Sequence, residues 1–242
     1  MNPSQARITY LFHSGFLVET AGHSLIFDYY QPHKLQPALA NGIISADWLK
    51  NRSNVVVFSS HNHGDHFDRA ILDWAKANPD LAYVLSDDIK VKTPGLNRYS
   101  MGPYQSLGLD GLEVRSFGST DQGVSFWVRA GGLTLFHAGD LNWWQWKEDT
   151  PEDQAKAVEW FKTEIARIEG LPVDIAFFPV DRRLEEYYAL GAEYLAAKLR
   201  PKLLIPMHFG EDYAATRAFA ERAGELGIPA VIIERRGQEI EF

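Results

Sequence analysis

A chain of 242 residues with 45% hydrophobic and 23% charged residues has the balance of a globular protein with a large core, and no apolar run approaches the ~20 residues that a membrane-spanning helix needs. Cysteine is absent, which excludes a disulfide framework, a thiolate nucleophile and any Cys-ligated metal, so a metal could be held only by His, Asp and Glu. The formal net charge of −8 argues against a nucleic-acid backbone as the main partner. No Pro/Ser-rich or charged linker divides the sequence, so one α/β domain over 1–242 is expected. The start, Met1-Asn2-Pro3-Ser4-Gln5, has no basic segment leading into an apolar core; it does not read as a secretory signal, and a cytoplasmic location is the default.

Residues 7–12, 16–20 and 24–28 read as three short strands, the last two joined through Ala21-Gly22-His23. His13 and Asp28 fall at strand ends, where functional groups collect, although each alone would serve as a structural residue. His23 and His33 lie in turn-like segments and read as surface. The run 55–58 is too apolar to alternate, so it reads as a strand buried on both faces. It leads into His61-Asn62-His63-Gly64-Asp65-His66. Residues two apart in extended backbone point the same way, so His61 and His63 can converge, and Gly64 is expected to make the turn that brings Asp65 and His66 round. An N-cap or a hydrogen-bonded structural histidine explains one such residue. Three imidazoles beside a carboxylate need a common partner, and a metal is the simplest.

An amphipathic helix is expected over 68–77, a strand over 82–86, a short helix over 87–92 and short strands within 99–117. Residues 124–129 and 133–137 form a hairpin across Ala130-Gly131-Gly132, ending in His137-Ala138-Gly139-Asp140. Trp143, Trp144 and Trp146 follow directly, either as core or as the wall of a substrate pocket. Beyond them come a helix over 151–168 with Pro at its first position, a strand over 174–180, a helix over 185–199, a strand over 203–207 ending in His208, a helix over 212–226 and a strand over 230–234. Arg182 and Arg183 sit in a loop between two of these elements and could clamp a phosphate or carboxylate.

His61-Asn62-His63-Gly64-Asp65-His66 resembles the His-x-His-x-Asp-His signature of the metallo-β-lactamase-fold hydrolases. Asp28, Gly139-Asp140 and Pro206-Met207-His208 resemble the family's other motifs in order and approximate spacing, and residues 10–15 and 137–140 look most like the branch that includes ascorbate-phosphate lactonase-type and related uncharacterised hydrolases. The resemblance implies a four-layer αββα sandwich of two mixed sheets flanked by helices, with one or two metals at one edge. Carried over by position, His61 and His63 resemble ligands of a first metal, Asp65, His66 and His208 ligands of a second, Asp140 the bridging carboxylate and Asp28 a residue supporting the metal loop. One departure stands out: Phe117-Gly118-Ser119-Thr120-Asp121-Gln122-Gly123 lacks the histidine that the family normally supplies there to the first metal. Asp121 is the expected substitute, with His137 or His13 as others; His13 is otherwise expected to stand behind the ligands, as Asp28 does.

Such a site implies hydrolysis of a small-molecule ester, lactone or phosphoester, with Asp65 or Asp140 as general base if only one metal binds. Zinc suits His and Asp ligands, and manganese or iron suits carboxylate-rich sites as well. The di-iron electron-transfer branch usually carries Glu at the position of His63, which separates this chain from it. Trp143 and Trp144 would hold an apolar part of the substrate, Arg182 and Arg183 an anionic part. Two other readings are a scaffold that has lost a ligand, and a nuclease, for which no basic surface or RNA-binding arm is evident.

Overall fold

A computed structural model describes residues 5–242; the expectation about a secretory signal falls on the start of the chain, where residues 1–4 lie outside the described residues. β1 (Ala6–Phe12), β2 (Gly15–Thr20), β3 (Ser24–Phe27), β4 (Val55–Ser59), β5 (Ala82–Ser86), β6 (Asn97–Met101) and β13 (Glu239–Glu241) make one sheet, in the order β13-β1-β2-β3-β4-β5-β6. β7 (Ser106–Leu109), β8 (Leu112–Phe117), β9 (Ser125–Ala130), β10 (Leu133–His137), β11 (Ile175–Pro179) and β12 (Leu203–Met207) make the other, in the order β12-β11-β10-β9-β8-β7. Each sheet is antiparallel on one side and parallel on the other: β3 to β6 run parallel, as do β10 to β12. The expectation of two mixed sheets flanked by helices is met.

The period-two geometry of β4 explains its unbroken apolar run. Val56 and Phe58 enter the core between the sheets with Phe16, Phe27, Phe126 and Phe177, while Val55 and Val57 pack outward with Leu49, Ile71 and Tyr83. The outer layer over that face is α1 (Ala46–Lys50) and a 3-10 helix, Arg69–Lys76. α2 (Pro151–Ile168) packs on α3 (Leu190–Leu199) and β8, α3 packs on β11, and α4 (Tyr213–Glu225) adds Phe219 to the same core. α2 starts where expected because Thr150 caps it, accepting from the Asp153 N–H at 3.2 Å, and Phe161, Ile165 and Ile168 form its buried stripe.

Several expected boundaries move for local reasons. The helix over 68–77 is a 3-10 helix, with the Asp68 carboxylate accepting from the Ala70 N–H, and 87–92 is a turn without helix. The helix expected from 185 begins at Leu190, because Asp181 caps a separate 3-10 segment, Arg182–Tyr187, in which Glu185 takes φ 50°. The strand over 230–234 reduces to one bridge between Leu204 and Ala230, since Thr216 Oγ1 takes both the N–H and the carbonyl of Ile233. β13, which was not expected, pairs with β1 instead. No helix among the described residues is long and apolar enough to cross a membrane.

Candidate metal centre

The carboxyl ends of the parallel strands of both sheets meet at one edge, where side chains from several strands can converge. Asp28 follows β3, residues 60–66 follow β4, Asp140 follows β10, Asp181 follows β11 and His208 follows β12; His13 comes from the turn between β1 and β2. Two loops close over Ser60 because they carry glycine. Gly123 has φ 68° and a Cβ there would lie 2.0 Å from the Ser60 carbonyl oxygen; Gly139 has φ 55° and a Cβ would lie 2.7 Å from Ser60 Cβ. Gly64 is different: it lies outside the left-handed region with open space around it, and the turn is held by the His66 N–H donating to the His63 carbonyl at 3.0 Å. The turn therefore does not require glycine.

Two clusters of metal-type atoms result, one of His61, His63 and Asp140, the other of His13, Asp65, His66 and His208. Asp140 touches both. Its Oδ2 lies 3.4 Å from His61 Nε2, and its Oδ1 lies 3.2 Å from His66 Nε2 and 3.3 Å from His208 Nε2. His63 Nδ1 is 3.0 Å from His61 Nε2, and His13 Nε2 is 3.5 Å from Asp65 Oδ2.

Behind the clusters, buried acids fix the rings. Asp28 accepts from the Ser60 N–H at 2.8 Å, the Ser60 hydroxyl at 2.7 Å and His66 Nδ1–H at 2.7 Å; the Ser60 oxygen in turn accepts from His61 Nδ1–H at 3.0 Å. Asp181 accepts from His208 Nδ1–H at 3.0 Å and is forked by Arg183 Nε at 2.8 and 3.0 Å. With Nδ1 spent on a donor bond, His61, His66 and His208 each present an Nε2 lone pair to Asp140, the orientation a metal ligand needs.

Those lone pairs supply the test of fit. His66 Nε2 and Asp140 Oδ1 are buried without a hydrogen-bond partner although they face each other. Lone pair against lone pair is repulsive unless a cation lies between them, so the residues fit a divalent metal. Without one, a proton takes that role. Burial disfavours the His66 imidazolium, but Asp140 and Asp28 outweigh burial and push its pKa well above the ordinary histidine value. Burial likewise opposes ionisation of Asp140, and His66, His208 and His61 overcome it, holding that carboxyl well below the usual range. Asp28 is held low against burial by His137, His66 and His61. Burial, with His208 and His66 nearby, lowers His13 to about 2.

The remaining sequence candidates divide. Asp121 lies on the cleft wall, its Oδ2 3.9 Å from His63 Nδ1, and is close to the first cluster without being part of it. His137 cannot substitute as a ligand: its Nε2–H donates to the Ser14 carbonyl at 2.8 Å, its Nδ1 accepts from the Gly139 N–H at 3.2 Å, and its ring stacks on Phe27. Both ring nitrogens are spent, and it is wholly buried. Arg183 and Trp144 line a cleft of about 400 Å³ with His63, Asp65, Asp121 and Asp140. Trp143 does not, because it turns inward against Phe161 and Tyr194. Trp146 takes its place, parallel to Trp144 with ring centroids 6.2 Å apart. Arg182 also falls outside this cleft, pairing with Asp212 at 3.5 Å beside a neighbouring depression. Sequence reasoning missed Asp181 and Ser60. Asp181 carries the signal that marked Asp28, an Asp just past an apolar strand.

Residues 7–154 match a family model described as the beta-lactamase superfamily domain. A UPF0173 metal-dependent hydrolase of Opitutus terrae is 27% identical over 260 residues, covering 97% of this chain and 99% of its own. Igni18, a novel metallo hydrolase from the hyperthermophilic archaeon Ignicoccus hospitalis, has a similar structure at TM-score 0.68 and 19% identity over 98% of both chains. The metallo-beta-lactamase fold protein YhfI from Bacillus subtilis is similar at TM-score 0.63 and 16% identity, covering 99% of this chain and 100% of its own. With its motifs converging at the shared edge of two mixed sheets, the chain belongs to the beta-lactamase superfamily domain family and has the metallo-β-lactamase fold.

Proposed function

We propose that this protein is a metal-dependent hydrolase that cleaves an ester, lactone or phosphoester bond in a small anionic molecule at a two-metal centre. One observation carries the reading: Asp140 directs Oδ2 at His61 and Oδ1 at His66 and His208, so a single carboxylate stands between two sets of imidazole ligands. His61, His63 and Asp140, with Asp121 adjacent, would hold one ion; Asp65, His66, His208 and Asp140 would hold the other. Zinc suits these donors best, with manganese or iron as alternatives. A divalent metal held there would lower the pKa of water from about 15.7 towards 7 and would polarise the bond under attack.

The chain's own groups do the rest. Asp28 and Asp181 fix the imidazole rings before anything binds, so no reorganisation is required at reaction. Arg183, its Nε and one terminal nitrogen held by Asp181, lines the cleft and has a further terminal nitrogen to offer a substrate anion. Trp144 and Trp146 wall the cleft and exclude water from one side of it, and Trp144 Nε1–H is anchored on the Asp140 carbonyl at 2.9 Å. The cleft lining carries Asp65, Asp121 and Asp140 against the single arginine Arg183, which favours a small molecule over a nucleic acid.

The experiment is elemental analysis of protein prepared without chelator, together with turnover of p-nitrophenyl acetate, bis(p-nitrophenyl) phosphate and a simple lactone. Two equivalents of metal, and hydrolysis that Asp140→Asn abolishes, are expected. One equivalent or none, or turnover indifferent to Asp140→Asn, would defeat the two-metal reading.

A further inference from the structure

Five imidazoles converge here, and His13 is wired the opposite way to His61, His66 and His208. The Nδ1–H groups of His66 and His208 donate to carboxylates, and that of His61 to the Ser60 hydroxyl, leaving Nε2 as a lone pair. His13 instead accepts at Nδ1, from the Gly210 backbone N–H at 3.2 Å. A nitrogen that accepts from an amide carries no proton, so the His13 proton sits on Nε2, and a protonated nitrogen cannot bind a metal.

The wiring is built into the backbone. The His13 N–H donates to Tyr10 Oη at 2.9 Å, Tyr10 Oη–H donates to the Gly210 carbonyl at 3.3 Å, and the His208 N–H donates to the His13 carbonyl at 3.1 Å. Both His13 and His208 have left-handed backbones, φ 55° and 64°, and the β1–β2 register shifts between Tyr10 and Phe12, just before His13. A non-glycine residue keeps such a conformation only where its surroundings over-determine it, and these tethers do so. A bulge of this kind re-aims the following side chain. His13 is aimed inward: its ring centroid is 4.2 Å from that of His208, and its buried Nε2 has no hydrogen-bond partner, with Asp65 Oδ2 3.5 Å away. It also lines the depression that shares Arg183 and His208 with the cleft.

We propose that His13 is a catalytic hydrogen-bond donor and not a metal ligand, its Nε2–H held by the backbone for an oxygen of the substrate's reacting carbonyl or phosphoryl group. This rests on the hydrolase reading for its substrate, but the position of the proton does not. The donor stands beside His208 and His66, its ring centroid 4.2 and 5.7 Å from theirs, and would stabilise negative charge developing on substrate oxygen where those rings offer only lone pairs. Its proton stays on Nε2; the interaction is a hydrogen bond, with no transfer required.

The test is ¹⁵N NMR of histidine-labelled protein, first metal-free and then loaded with ¹¹³Cd. His13 is expected as the Nε2–H tautomer in both states with no ¹¹³Cd coupling, while His66 and His208 couple through Nε2. An Nδ1–H tautomer, or cadmium coupling at His13, would overturn the proposal. In the second arm, His13→Ala is expected to keep the wild-type metal content and to lower kcat for the p-nitrophenyl substrate turned over about 100-fold, with KM within about threefold. His13→Gln, which places an amide donor at similar reach, should restore about tenfold of that loss. Loss of metal from His13→Ala, or an unchanged kcat, would also overturn it. If the wild-type protein bound no metal, the hydrolase reading would fall, while the metal-free tautomer would still decide where His13 keeps its proton.

Discussion

The two clusters that share Asp140 are built differently. In the second, His66 and His208 are buried and each has a buried carboxylate behind it, Asp28 and Asp181, so both rings are held before a metal arrives. In the first, His61 is buried and held only through the Ser60 hydroxyl and His63 is 43% exposed, with Asp121 beside it at 47%; Asp65 of the second is 43% exposed too, so the difference lies in the buried carboxylates behind His66 and His208. Preorganised ligands lose little freedom on binding, whereas exposed ones must be ordered by the metal itself. The second cluster is therefore expected to bind tightly and the first weakly, which would make the missing histidine at 117–123 a change in the affinity of one site and not the loss of the centre.

The strongest way to break this comparison is His66→Ala. It should remove the tight equivalent outright, and with it the roughly 2.7 kcal/mol of stabilisation that metal at a hundred times its dissociation constant confers, read as a lost metal-dependent rise in Tm. Retention of the full metal content would contradict the assignment of ligands. Next in size, Asp28→Asn and Asp181→Asn should each weaken the tight site about 10- to 100-fold in a competition titration with a chelator. Asp121→Asn should leave that site unchanged and lower only the weaker one, and equal effects at both sites would erase the distinction.

The comparison also predicts a pH dependence. In the metal-free protein the raised His66 pKa means that a proton bridges the cluster, so the stability it contributes is complete below the unfolded value of 6.5 and is lost as pH rises through the folded one. Metal must displace that proton. Affinity at the tight site should accordingly rise about tenfold per pH unit until the pH passes the folded pKa, measured by titration between pH 6 and 8. A flat profile would place the proton elsewhere. The smallest effect lies away from both clusters. Asp174 accepts from the Thr134 N–H and hydroxyl at 2.8 Å each and pairs with Lys202, which together hold its carboxyl low against burial. Asp174→Ala should cost about 1–2 kcal/mol at pH 7 in urea unfolding without changing metal content. Because the folded pKa is depressed, the charge-dependent part of that difference is present above the ordinary 3.8 and is lost as pH falls through the folded value, leaving only what the neutral carboxyl contributes.

By itself the sequence determined the elements and the local motif. An unbroken apolar run too short for a buried helix reads as a strand with two buried faces, as β4 is, and six consecutive residues carry most of the imidazoles because one strand end and one turn suffice to gather them. It also located Asp28, Asp140 and His208, each just past a strand. Element ends were less legible wherever a side chain captured backbone groups, as Thr216 does at Ile233 and Asp181 does before α3. Which ring nitrogen faces Asp140, which tryptophan faces the cleft and which of two arginines reaches it were decided by tertiary contacts alone. His13, His137 and His208 all stand at strand ends, yet the Gly210 and Gly139 N–H groups leave the protons of His13 and His137 on Nε2, while Asp181 draws that of His208 to Nδ1. The physical reason is that a histidine's role depends on what its second nitrogen meets, and that partner comes from a distant part of the chain.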